Sequence, residues 1–187
     1  MNFARAFLGL FAVIGNWPNW ESYFDLSRKG LKFSFLALLL ALPAYYIFIS
    51  GIYEQGAKLQ NIERGPVPIA PFIILTSVFL LSFTASAYLI TMITDKQDRF
   101  RPWVIVRHWA VFVLAWVVAA FFGLHAIGLM PFNVAYGIAF AAYMGGLAID
   151  IRLLYKVAEF KLGAAILLGC LIVAVSLTLV MLGLEQF

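Results

Sequence analysis

Four stretches of this chain, Phe33 to Tyr53, Ala70 to Ile93, Phe132 to Ile149 and Gly163 to Leu184, carry no charged side chain, and a fifth, Trp103 to Met130, carries only Arg107. Each approaches or exceeds the roughly 20 apolar residues needed to cross a hydrocarbon layer about 30 Å thick. Hydrocarbon offers no partner to backbone N–H and C=O groups, so such segments close their hydrogen bonds internally, as helices. With 64% hydrophobic and only 12% charged residues among 187, too little polarity remains for the surface of a soluble domain. The expected fold class is an all-α integral membrane protein: one membrane domain over residues 1–187, with five transmembrane helices after an N-terminal interfacial amphipathic helix.

That first helix is read from Phe3, Phe7, Leu8, Leu10, Phe11 and Ile14, an apolar stripe ended by Gly15 and by Trp17-Pro18-Asn19-Trp20. It is too short to span. It is expected to lie among the headgroups with Trp17 and Trp20 as anchors, the alternative being a helix packed under the bundle. No small-x-small cleavage site precedes Asn16, so the segment is expected to be retained. A polar turn completes residues 1–30. Pro43 should bend the first span. Glu54 to Pro68 reads as the longest connector, because Gly56, Gly65, Pro66 and Pro68 oppose regular structure, and Gly128 to Pro131 reads as a tight hairpin. Asp150 to Lys161 reads as an amphipathic connector. Cys170 has no partner for an intramolecular disulfide and is expected to be a small packing residue.

Two runs of small residues recur every four positions: Ala115, Ala119 and Gly123 in the third span, and Gly137, Ala141 and Gly145 in the fourth. In lipid, helices associate through close dispersion contact, which small side chains permit. The two stripes are expected to face each other, or one of them to face another copy of the chain.

Cations divide unevenly among the connectors. Arg5, Arg28, Lys29 and Lys32 precede the first span. Lys96, Arg99, Arg101 and Arg107 surround the start of the third, and Arg152, Lys156 and Lys161 lie between the fourth and fifth; of 13 cations only Lys58 and Arg64 remain for the other side. The positive-inside rule then places the N-terminus in the cytoplasm and the C-terminus outside, in a bacterial inner membrane.

Ionisable residues inside membrane helices are the usual mark of chemistry. This chain has almost none: Arg107 and Asp150 stand at helix ends, no Asp or Glu lies near a helix midpoint, and the densest charge is at the junction Asp95 to Trp116, where a charged loop becomes the third span. His108 and His125 are 17 residues apart, about 25 Å along a helix, and cannot share a metal ion. A cluster of Arg107, His108 and Asp150 at neighbouring helix ends admits an interfacial enzyme, but an ion pair beside a hydrogen-bonded histidine is the more economical reading. No phosphate loop, His-Glu-x-x-His or Gly-x-Ser-x-Gly occurs. Catalytic residues, a metal, a cofactor and a nucleic-acid partner are not expected. The expected ligand is an anionic lipid, held by a collar of Arg101, Arg107, His108 and Arg152 with Trp103 and Trp109 as walls, since guanidinium forks match phosphate oxygens.

Phe24-Asp25-Leu26-Ser27, Ser34-Phe35, Pro43 and Arg107-His108-Trp109-Ala110 are similar to stretches of small proteobacterial inner-membrane proteins. The order of a short N-terminal segment and five helices resembles the Yip1 family of membrane-trafficking proteins. The resemblance carries over no catalytic residue; with the third span and its basic collar as the organising element, the expected function is that of a protein that binds lipids or membrane-protein partners, as an organiser or accessory subunit. A small oligomeric channel or transporter, with a path past Thr84, Ser86, Tyr88, Tyr136 and Tyr143, is the alternative.

Overall fold

A computed structural model describes residues 3–63 and 65–184. Arg64, one of the two cations assigned to the far side, and Glu185 to Phe187 lie outside the described residues. The helices are α1 (Phe3–Ile14), α2 (Arg28–Gln60), α3 (Ile69–Ile93), α4 (Gln97–Ala126), α5 (Phe132–Lys156) and α6 (Leu162–Leu184), with a 3-10 turn at Trp20–Tyr23. Among the described residues there is no strand. The five helices α2 to α6 are long and apolar enough to cross a membrane, and α1 is a shorter apolar helix.

Local chemistry sets the ends. The Ser27 hydroxyl caps α2 by accepting the Gly30 N–H at 3.2 Å, and the Asp25 carboxylate accepts the Ser27 N–H at 3.1 Å. Hydrogen bonding from Ser27 holds the Asp25 carboxyl below the ordinary carboxylate range. Gly30 is required there, because a Cβ would run into the Asp25 carbonyl oxygen.

At its other end α2 overrides the expected connector and continues through Gly56 to Gln60. One glycine costs a helix only about 1 kcal/mol, and the Glu54–Lys58 pair at 2.8 Å bridges the same turn. Asn61, left-handed at φ 51, ends it. Likewise α5 runs on to Lys156, absorbing half of the expected Asp150–Lys161 connector. The hairpin after α4 turns on Gly128, at φ 77.

Consecutive helices alternate in direction. The α3–α4 and α5–α6 turns meet at one end, where the Lys96 ammonium donates to the Glu159 carbonyl at 2.9 Å and Arg99 pairs with the Glu159 carboxylate at 2.9 Å. At the other end Phe122 packs edge-on to Phe48 and Phe132.

α4 is the hub, touching α1, α2, α3 and α5, while α6 closes the ring between α5 and α3. Every residue from Trp103 to Val111 is buried except the partly buried Arg107. Cys170 is exposed, not a packing residue. The inward face of α6 is carried by Ala165, Gly169, Ile172 and Ser176, and one residue past Gly169 rotates a side chain about 100° off that face.

Candidate functional site

The buried half of α4 presents two polar neighbours to opposite sides. Arg107 reaches α5: its Nη2 donates to Asp150 Oδ2 at 3.0 Å and its Nε meets Oδ1. The Asp150 side chain is 3% exposed. The guanidinium also lies 5.0 Å over the Phe83 ring, which stands edge-on to Trp103. A carboxylate withdrawn this far from water persists only beside a compensating cation, and Arg107 with its aromatic floor is that cation.

His108 points instead between α2 and α3. Its Nδ1 lies 2.9 Å from Ser34 Oγ, and its Nε2 lies 3.0 Å from Thr84 Oγ1. Ser34 spends its one hydroxyl proton on the Leu31 carbonyl at 2.8 Å, so Ser34 Oγ accepts from Nδ1–H. In the neutral ring Nε2 is then the acceptor and Thr84 the donor. Phe35 closes the site edge-on at 4.7 Å between centroids.

Asp150 and His108 are therefore claimed by different partners. Both carboxylate oxygens face Arg107, and both imidazole nitrogens face hydroxyls. The arrangement supplies electrostatic and hydrogen-bonded ties between helices: α4 to α5, and α4 to α2 and α3. A third tie, Ser82 Oγ to Ser176 Oγ at 2.7 Å, joins α3 to α6. Among the described residues no group of three His, Cys, Asp or Glu side chains lies close enough to hold a metal ion.

The collar residues fall into two environments. Trp103, His108 and Trp109 are core, at 0%, 1% and 1% exposure. Arg107 is committed to Asp150, and Arg152 Nη2 donates to the Ile14 carbonyl at 3.3 Å. Only Arg101 stands exposed. The open cations at that end are Arg28, Lys29, Lys32, Arg101 and Lys161; among the described residues no carboxylate contacts any of them as an ion pair, and the Asp25 carboxylate feels the charge of Lys29.

The two small-residue runs do not meet. Ala115 and Ala119 pack on Ala41 and Ala44 of α2, which continue a buried small-residue stripe of Ser34, Ala37, Ala41 and Ala44 spaced three and four apart. Gly123 is half-buried, Gly137 and Ala141 are exposed, and Gly145 is half-buried with nothing within 4 Å of a Cβ placed on it. α5 uses Ala135 and Ala139 inward instead, beside Phe122. Of the path residues, Thr84 holds His108 and Ser86 is half-buried, whereas Tyr88, Tyr136 and Tyr143 face outward.

Ser34, Thr84 and Phe83 are the residues that sequence reading did not connect to Arg107 and His108. The available signal was the placement of hydroxyls on α2 and α3 at depths matching His108. No family model, no curated protein and no solved structure matches the chain.

Proposed function

We propose that the protein is a multi-pass protein of the bacterial inner membrane, with its N-terminus in the cytoplasm and its C-terminus outside, that works by binding anionic lipid headgroups at its basic end. Organisation of the membrane, or service as an accessory subunit to a membrane-protein partner, is the role this chemistry suits. The Yip1-like assignment belongs to the same proposal and rests on the order of one short segment and five helices.

One observation carries the reading. Arg28, Lys29 and Lys32 at the start of α2, Arg101 at the start of α4 and Lys161 before α6 come to one end of the bundle, exposed and, among the described residues, outside ion-pair contact with any carboxylate. A basic residue at an anionic membrane surface contributes about 1 kcal/mol, within a Debye length. Five such residues on one rim form a surface that attracts anionic headgroups, more strongly at low salt than at high salt. The deeper cations, Arg107 and Arg152, support the rim by tying α4 to α5 and α5 to α1. Lipid retention in native mass spectrometry, phosphatidylglycerol against phosphatidylcholine, is the experiment that tests it.

A further inference from the structure

We infer that α1 is a wedge sunk into the hydrocarbon of one leaflet, and that its outward face is a docking surface for lipid acyl chains. This goes beyond headgroup binding and rests only on the membrane embedding of the five long helices.

A helix floating among headgroups needs a polar face toward water, and α1 has none. Ala6, Leu10, Ala12 and Val13 are buried against the bundle, while Phe7, Leu8, Phe11 and Ile14 point outward at 44–50% exposure. Arg5 is the one charged residue of the helix, and its Nη2 is drawn back to the Ser22 carbonyl. Phe7, Leu8, Phe11 and Ile14 therefore make a continuous apolar arc, with the exposed Arg5 on its flank.

The C-terminal end of α1 is equally closed. A helix normally leaves its last four carbonyls to water or caps, and in hydrocarbon an unmet carbonyl is strongly disfavoured. Here the Phe11 carbonyl accepts from Gly15 N–H at 2.7 Å, Ala12 from Trp17 at 2.8 Å, Val13 from Asn16 at 3.4 Å and Ile14 from Arg152 at 3.3 Å. All four are met within the protein.

Position agrees with chemistry. Ala4, Ala6 and Phe7 border an apolar groove of about 280 Å³ with Trp109, Phe112 and Val113 of α4. The α4 side of this groove begins at Trp109, two residues inward of Arg107 and about 3 Å along the helix, so Ala4 to Phe7 lie beside the apolar part of α4 just inside the level of the buried ion pair. Acyl chains are the occupant of matching chemistry at that depth, and the outward face of α1 runs into exposed apolar surface on the long helices. Because α1 occupies one leaflet and the five long helices occupy both, the protein excludes more lipid area from the leaflet at its basic end.

Site-directed spin labelling in phosphatidylglycerol liposomes tests this. Nitroxides at Leu8→Cys and Phe11→Cys, each in a Cys170→Ala background, are compared with the native Cys170 on α6 and with Lys161→Cys as a water-exposed reference. Both replaced side chains are half exposed, so each variant should keep the melting temperature of the parent; if Phe11→Cys does not, Leu8→Cys decides. The expected result is high collision with oxygen at positions 8 and 11, and collision with a water-soluble nickel chelate reduced to the level at Cys170. Chelate collision at 8 and 11 equal to that at position 161, with Cys170 still shielded, overturns the wedge alone. Chelate access at Cys170 as well overturns the membrane embedding and the wedge together, and leaves headgroup retention to be judged by its own assay.

Discussion

Arg107 and Asp150 join α4 to α5 through a two-point ion pair, Nη2 to Oδ2 at 3.0 Å and Nε to Oδ1, with the Phe83 ring beneath the guanidinium. Removing one member strands the other charge in an apolar setting, which typically costs about 3–5 kcal/mol, whereas replacing both by apolar side chains is often neutral. Arg107→Ala and Asp150→Ala are each expected to lose that much stability in reversible unfolding from detergent micelles. Arg107→Met with Asp150→Leu is expected to recover most of it. Losses that simply add in the double variant would mean that the two residues act separately.

The His108 ties should be weaker individually. Ser34→Ala leaves the buried Nδ1–H of His108 without an acceptor and Thr84→Val leaves its Nε2 without a donor. Each is therefore expected to cost about 1–3 kcal/mol, with no change in lipid retention. A loss of retention at unchanged stability would give His108 a place in ligand binding that the geometry does not assign it.

Ala119, 2% exposed against Ala41 and Ala44, has no room for added methylenes. Ala119→Leu is expected to lose about 1–3 kcal/mol through overpacking. Gly145→Leu should leave the melting temperature of the single chain unaltered, because a Cβ there meets nothing within 4 Å. Mass measurement of Gly145→Leu in detergent adds an independent readout, since a fall in oligomeric mass would locate a contact between copies on that face of α5.

Much of the architecture was legible in the sequence, because an uncharged run of about 20 residues has few options besides a membrane-length helix. Helix ends were less so. Gly56 reads as a breaker, yet one glycine costs a helix only about 1 kcal/mol, part of which the exposed Glu54–Lys58 pair offsets. Partner choice was the least legible. Alanines four apart mark a face that can approach another helix but not which one, and α2 carries a competing stripe of Ser34, Ala37, Ala41 and Ala44, so spacing alone could not choose between α2 and α5 as the partner of α4. The His108 partners lie 74 and 24 residues away, and a hydroxyl in an apolar helix bonds its own backbone by default, so spacing alone could not select Ser34 and Thr84. The collar was drawn from charge and aromatic content at helix ends. Burial then divided it, because Trp103, His108 and Trp109 take the inward sides of a helix surrounded by four others.

The most direct test of the proposed headgroup binding is native mass spectrometry of the protein released from mixed micelles of phosphatidylglycerol and phosphatidylcholine. The parent chain is expected to retain phosphatidylglycerol preferentially. Arg101→Gln, Lys29→Gln and Lys161→Gln should each lower that retention by roughly fivefold, the equivalent of about 1 kcal/mol per surface charge, at unchanged melting temperature. Arg107→Lys should lower stability before retention. Equal retention of both lipids by the parent, or retention unchanged when all three exposed cations are replaced together, would contradict the account.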